Sequence, residues 1–261
     1  MRAMIVCTAL LAAATSQARP PGAIDQRAVD ALARMGAFLR DQQSFTVRMT
    51  TDTDYVLDDG QKVRLGATGE VRVRRPDKLR ADVVSPRKQR SFYYDGCNFT
   101  VFGPRTGMYA TVPGEKTILG TADMLQDRYG LELPMVDLFR WGTNESGADE
   151  LTSAIDVGPA LIDGVETEQY AFRQPGLDWQ IWIQRGEKPL PRKVVLTTTD
   201  DRARPERAIE LTWELGVVHP DSDFAFTPPP SSQKITLAEE SHAVQTSQRD
   251  RAARRPARRR R

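Results

Sequence analysis

From Val63 to Val73 one parity holds Val63, Leu65, Ala67, Gly69, Val71 and Val73, while the other holds Arg64, Thr68, Glu70 and Arg72. This is the two-residue period of a strand with one face buried and one in water. A second run repeats it, with Ile209, Leu211, Trp213 and Leu215 set against Glu210, Thr212 and Glu214. A helix, with about 3.6 residues per turn, would scatter the same apolar residues around its whole circumference. A chain carrying both runs must build a sheet, and one face of that sheet needs a cover.

Shorter runs at Phe45–Met49, Leu79–Val84, Arg90–Tyr94, Asn98–Phe102, Met108–Val112, Ala154–Val157, Glu168–Arg173, Asp178–Gln184 and Arg192–Thr199 read as further strands. Asp58-Asp59-Gly60 and Asp95-Gly96 supply hairpin turns, since glycine takes positive φ at little cost. Ala28, Leu32, Met35 and Leu39 recur by three and four within Ile24–Arg40 and predict one amphipathic helix. Met124, Leu125 and Tyr129 predict a second, ahead of Gly130. A third is predicted from Pro134, with Met135, Leu138 and Phe139 on one face and Gly142 as its stop. The expected fold class is α+β, mainly antiparallel: a curled half-barrel sheet of about ten or eleven strands with covering helices.

The first eighteen residues carry Arg2, an apolar stretch from Ala3 to Ala14, and small residues at Ser16 and Ala18. They read as a secretory signal peptide cut after Ala18, so that the mature chain begins at Arg19 and has no transmembrane span. Residues 19–237 form one expected domain, and 238–261 a disordered Arg-rich tail. Cleavage would remove Cys7 and leave Cys97, expected to be a small buried hydrophobe. The whole chain carries +2, yet Arg249–Arg261 alone holds eight Arg and one Asp, and Arg2 adds another positive charge. The remaining body therefore carries about −6. Such a tail would attract a polyanion. Nucleic acid is set aside for an exported chain with an acidic body; Arg249–Arg261 reads first as a solvated tail with no specific partner, and an anionic membrane surface is the alternative partner.

Several segments together carry a family likeness: IDQRAVDALARMGAFLRDQQSFTV at the start, the hairpin around DDG, YYDG, LPMVDLF midway and FAFTPPPSSQKI at the close. From Ile24 to Leu237 the chain resembles the predicted periplasmic family known as domain of unknown function 2092, related in fold to the lipoprotein carriers LolA and LolB. The resemblance implies a periplasmic location and an open half-barrel closed by helices over an apolar concavity, which in the carriers shelters acyl chains. It transfers no catalytic residue, and the Arg-rich tail departs from the family pattern.

Searching the sequence for chemistry yields no H-E-x-x-H, G-x-S-x-G, P-loop, G-x-G-x-x-G or paired C-x-x-C. His219 lies in Val218-His219-Pro220-Asp221, read as a turn, and His242 in the polar tail. Asp52, Asp54, Asp58 and Asp59 lack the glycine and distal glutamate of a calcium loop and read as a solvated hairpin tip. No cofactor or metal is expected. What remains is apolar. Met124, Leu125, Met135, Leu138 and Phe139 are expected as a lid, with Val71, Val73, Phe92, Tyr94, Ile181, Ile183, Leu211 and Trp213 lining the sheet beneath it. Each methylene buried between them would contribute about 0.8 kcal/mol, so a fourteen-carbon chain gains on the order of 10 kcal/mol without any polar chemistry. The expected function is non-catalytic binding of a lipid or lipidated protein. The alternatives are an envelope sensor or protein-interaction module without a small-molecule ligand and, further off, a hydrolase built on paired carboxylates.

Overall fold

The computed structural model describes residues 22–141 and 148–239. The expected signal peptide, the Gly142 stop, His242 and Arg249–Arg261 lie outside the described residues. Helix α1 (Gln26–Asp41) comes first, then six strands: β1 (Ser44–Val56), β2 (Lys62–Arg74), β3 (Lys78–Val84), β4 (Gln89–Tyr94), β5 (Asn98–Gly103) and β6 (Met108–Pro113). Helices α2 (Ile118–Tyr129) and α3 (Asp137–Arg140) follow. The chain then adds β7 (Ser153–Ile162), β8 (Val165–Gln174), β9 (Leu177–Gln184), β10 (Pro191–Thr198), β11 (Glu206–Leu215) and the two-residue β12 (Gln233–Lys234).

All twelve strands lie in one open sheet, ordered β12-β6-β5-β4-β3-β2-β1-β11-β10-β9-β8-β7. The pairs are antiparallel except β12 with β6, which is parallel. The expected α+β, mainly antiparallel class holds, in a sheet that is open and uncurled. Parity located β1 to β11, and β12, too short to show a period, is the addition. β1 sits at the centre, pairing Val47 with Val71 of β2 and with Trp213 of β11. This register aligns Phe45, Val47 and Met49 with Val73, Val71 and Gly69, so one face is apolar from strand to strand. Gly69 gives the Met49 side chain room there: a Cβ would stand 2.3 Å from the Met49 methyl and 3.1 Å from the Asp82 carbonyl oxygen, so the methionine would have to move.

Helices cover that face in two places. α1 begins where the Asp25 carboxylate accepts the Arg27 N–H, a side-chain N-cap. It buries Ala28, Ala31, Met35 and Leu39 against Phe172, Ile181, Ile183 and Val194. α2 is capped by the Thr117 hydroxyl, which accepts from Gly120 N, and ends at Gly130 in the left-handed region (φ 60°). Together with α3 it buries Ile118, Leu125, Leu138 and Phe139 against Phe45, Val71, Phe92 and Phe99. Trp141, Trp213 and Leu215 touch both clusters.

Three expectations are corrected. The third helix starts at Asp137 rather than Pro134, because Met135 has φ 59° and cannot continue a right-handed turn. Cys97 is exposed, because it sits in the Asp95-Gly96 turn with its N–H donated to the Asp95 side chain. His219 lies in extended chain rather than in a turn, and it is buried. Its Nε2 lies 3.2 Å from Thr46 Oγ1 and 3.3 Å from the Phe45 carbonyl, and its Nδ1 lies 3.4 Å from Asp223. The segment after β11 thus straps across the opposite face of the sheet, where the Phe226 ring packs among Tyr93, Phe102 and Tyr109.

Candidate functional site

Strand lengths create the site. β3 ends at Val84, opposite Thr68, so Lys62–Ala67 of β2 continues beyond its neighbour. α2 and the Leu133–Val136 turn cover the inner face near this step but do not fill it. A cleft of about 420 Å³ remains between them and the sheet, within the range of roughly 300–1,000 Å³ usual for small-molecule pockets. Met49, Ala122, Leu133 and Ile209 form a buried floor, with Val83, Met135, Val136 and Leu196 half-buried around it. Thr51, Ala67 and Thr68 supply the strand wall.

The rim is polar. Glu132, Asp137 and Arg207 are exposed and Arg140 is half-buried. Arg140 donates to Asp123 Oδ1 at 2.5 Å, tying α3 to α2. Crowding by the surrounding protein raises the Asp137 carboxyl above its ordinary range, opposed by the Arg140 and Arg207 guanidiniums and reinforced by Glu132. Asp137 keeps a large part of its surface in solvent, so water screens its interactions and the shift carries little stability. Gln126 of α2 also lines the cleft, and its Oε1 is buried with no hydrogen-bond partner among the described residues.

Behind the cleft, Arg75 holds the cover in place. Its half-buried guanidinium donates to the Leu39 and Gln42 carbonyls at the end of α1 (3.4 and 3.2 Å) and lies 5.0 Å from the Phe139 ring. Burial, with the like charge of Arg40 nearby, lowers its pKa from the ordinary arginine value. Among the described residues no group of three or more His, Cys, Asp or Glu is placed to hold a metal ion.

Of the expected lid and sheet residues, Met135 lines the cleft. Val71, Val73, Phe92, Tyr94, Leu125, Leu138, Phe139 and Leu211 lie in the packed core under α2 and α3, with Met124 and Trp213 half-buried against it. Ile181 and Ile183 lie under α1. The Tyr94 hydroxyl donates to the Glu115 carbonyl, so even that ring's polar end is engaged. Sequence reasoning missed Thr51, Gln126, Asp137 and Arg207, because a search for apolar side chains passes over polar groups at a rim. One signal was present: Ala67 and Gly69 are small residues in a strand otherwise supplied with valine and leucine, and small side chains on an inward face mark a hollow or a close approach.

The predicted periplasmic protein family DUF2092 matches residues 28–238, and the chain belongs to it. Among solved structures it is similar to the lipoprotein LppX of Mycobacterium tuberculosis, with 14% identity, a TM-score of 0.49, and 75% of this chain and 98% of that one covered. It is similar to LprF of Mycobacterium bovis, with 13% identity, a TM-score of 0.46, and 81% and 100% covered. A LolA superfamily protein of Nitrosomonas europaea matches with 10% identity, a TM-score of 0.38, and 76% and 97% covered. No curated protein matches the chain.

Proposed function

We propose that the protein is a periplasmic binding protein that takes up an apolar or lipidated ligand in the cleft under α2, without turning it over. One observation carries this reading. Under α1 the apolar face packs against Ala28, Ala31, Met35 and Leu39, while beside α2 it borders about 420 Å³ of space with a buried apolar floor. An open cleft of this size with a buried apolar floor has room for a hydrocarbon chain. The family's description as periplasmic supports the location. Export through residues 1–18 belongs to the same reading, as does contact of Arg249–Arg261 with anionic lipid at about 1 kcal/mol per basic residue near the surface. Among the described residues no helix is long and apolar enough to cross a membrane.

Displacement of a hydrophobic fluorescent dye by single-chain amphiphiles, with native mass spectrometry of the protein from its own envelope, tests the reading. Co-purifying lipid and competitive displacement are expected. A protein that isolates empty and whose bound dye no amphiphile displaces overturns it. Deleting Arg249–Arg261 is expected to weaken salt-sensitive binding to anionic vesicles while leaving dye binding unchanged.

A further inference from the structure

Along the centre of the sheet, cations are matched by carboxylates: Arg48 is joined to Glu70 and Glu214, and Arg64 to Asp54. One corner differs. β3 gives way to β4 at the same end of the sheet where β5 gives way to β6, so the loops 85–88 and 104–107 stand together. The Ser85 N–H donates to the Lys88 carbonyl at 2.8 Å, and the Ser85 hydroxyl accepts from the Lys88 N–H at 3.0 Å, which closes the first loop. The Arg105 guanidinium donates to the Ser85 and Pro86 carbonyls, at 3.0 and 2.7 Å, and ties the second loop to it. Arg87, Lys88, Arg90 and Arg105 are thereby gathered, with Lys234 of β12 paired to Tyr109 of β6 nearby. All five are exposed, and among the described residues none is joined to a carboxylate. Burial and the like charge of Arg90 lower the Lys88 pKa, with no carboxylate opposing them. In an acidic body such a group of cations makes a local positive field that draws anions.

Apolar side chains share this corner. Val84 closes β3, Met108 opens β6 and Ile235 follows β12, and they are 40%, 43% and 40% exposed. A small soluble anion would satisfy the cations and leave these side chains in water. A bilayer accepts both, head groups against the cations and the acyl boundary against the apolar groups. We propose that this corner docks the protein on a bilayer rich in anionic lipid. Arg90 pairs across strands with Val83, which lines the cleft, so docking brings the edge of the cleft to the lipid. The docking surface stands on its own charges and apolar groups; only the loading or release of a ligand there rests on the binding reading above.

Co-sedimentation of the full chain with vesicles of phosphatidylcholine alone, and of phosphatidylcholine mixed with phosphatidylglycerol, tests this. Tighter binding to the mixed vesicles, weakening with salt, is expected. Replacing both Arg87→Ala and Lys88→Ala is expected to lower that affinity about twentyfold, since each basic residue near such a surface contributes about fivefold. The control pair Arg34→Ala and Lys188→Ala, with the same change in net charge on α1 and at the opposite end of the sheet, is expected to bind as the unaltered chain does. Met108→Ser is expected to cause a smaller loss that salt leaves unchanged. Equal losses in the two double variants would show that binding follows net charge alone, and overturn the assignment. A full chain that passes over both kinds of vesicle overturns it too, and leaves the corner to an acidic protein partner. Displacement of the dye by dodecanol, read on the same variants, is expected to stay unchanged. Its failure in the unaltered chain removes the binding reading, while the vesicle results still decide the docking surface.

Discussion

The two covered halves of the sheet differ in how well cover and floor fit. α1 is sixteen residues long and meets β8, β9 and β10 with Ala28, Ala31 and Gly36 on its buried face. Small residues let the helix come close, and Met35 and Leu39 fill what remains. The other half is covered by twelve-residue α2, a turn, and four-residue α3. Two short helices joined by a turn cannot follow a long sheet face continuously, and the gap opens where β3 stops short of β2. A continuous amphipathic stripe packs closely along a sheet, and a broken one leaves a gap.

The largest effect separates the halves by stability. Met35→Ala, at a fully buried site under α1, is expected to cost about 2–5 kcal/mol, the range for truncating a side chain in a rigid core. Leu133→Ala, on the cleft floor, is expected to cost no more than about 2 kcal/mol, because the new space joins a hollow that exists already. Equal costs in denaturant unfolding would mean that the cleft is packed as tightly as the α1 half. The next effect concerns the proposed ligand. Ala67→Trp places a large side chain in the cleft from a strand position that tolerates aromatics. It is expected to weaken dodecanol binding tenfold or more, about 1.4 kcal/mol, with less than about 1 kcal/mol change in stability.

How much of this contrast the sequence revealed depends on the range of the interactions. α1 was legible because Ala28, Leu32, Met35 and Leu39 repeat within one segment, and β2 and β11 because their parity is local. The α3 boundary was not: Pro134 is a good first helical residue, and nothing nearby signals that Met135 takes φ 59°. The strap on the opposite face was hidden for another reason. Phe226 meets Tyr93, Phe102 and Tyr109, a contact made only once β4, β5 and β6 are assembled. The same holds for the rim, where Arg207 of β11 and Asp137 of α3 approach across the sheet. The expected sheet-lining residues have the right parity, yet parity says which face a side chain takes and not what lies above it.

A smaller effect lies at the projecting β1–β2 hairpin beyond the cleft, and it titrates. Asp54 accepts from Arg64 Nε at 2.8 Å and from the Glu206 N–H at 3.2 Å, with Lys62 at 3.3 Å. The Arg64 guanidinium, chiefly by hydrogen bonding, lowers its carboxyl to about 2. A depressed folded value means that the stabilisation is fully present above the ordinary carboxylate range near 3.8 and is lost as pH falls through about 2. The group stands in a thin hairpin where solvent screens its partners, so Asp54→Asn is expected to cost on the order of 1 kcal/mol at neutral pH. Chemical unfolding of both proteins should show that difference shrinking to nothing as pH falls toward 2. If instead the difference persists in acid, the hairpin is held by packing rather than by charge, and the contrast with the α1 half weakens.

The smallest effect tests whether the broken cover is held open by backbone strain. A methionine in the left-handed region costs about 1–3 kcal/mol relative to ordinary backbone, and Met135→Gly relieves that. The same change frees the unfolded chain, at about 0.5–1 kcal/mol, and removes a half-buried side chain from the cleft wall. Gain and loss nearly cancel, so the thermal midpoint should correspond to a change within about 0.5 kcal/mol. Binding should not cancel in the same way. The substitution removes apolar wall and loosens the turn that carries Leu133, so dodecanol affinity is expected to fall several-fold. A clear gain in stability with unchanged affinity would show that the turn is strained for reasons unconnected with a ligand, and that the gap beside α2 is a packing defect rather than a receptor.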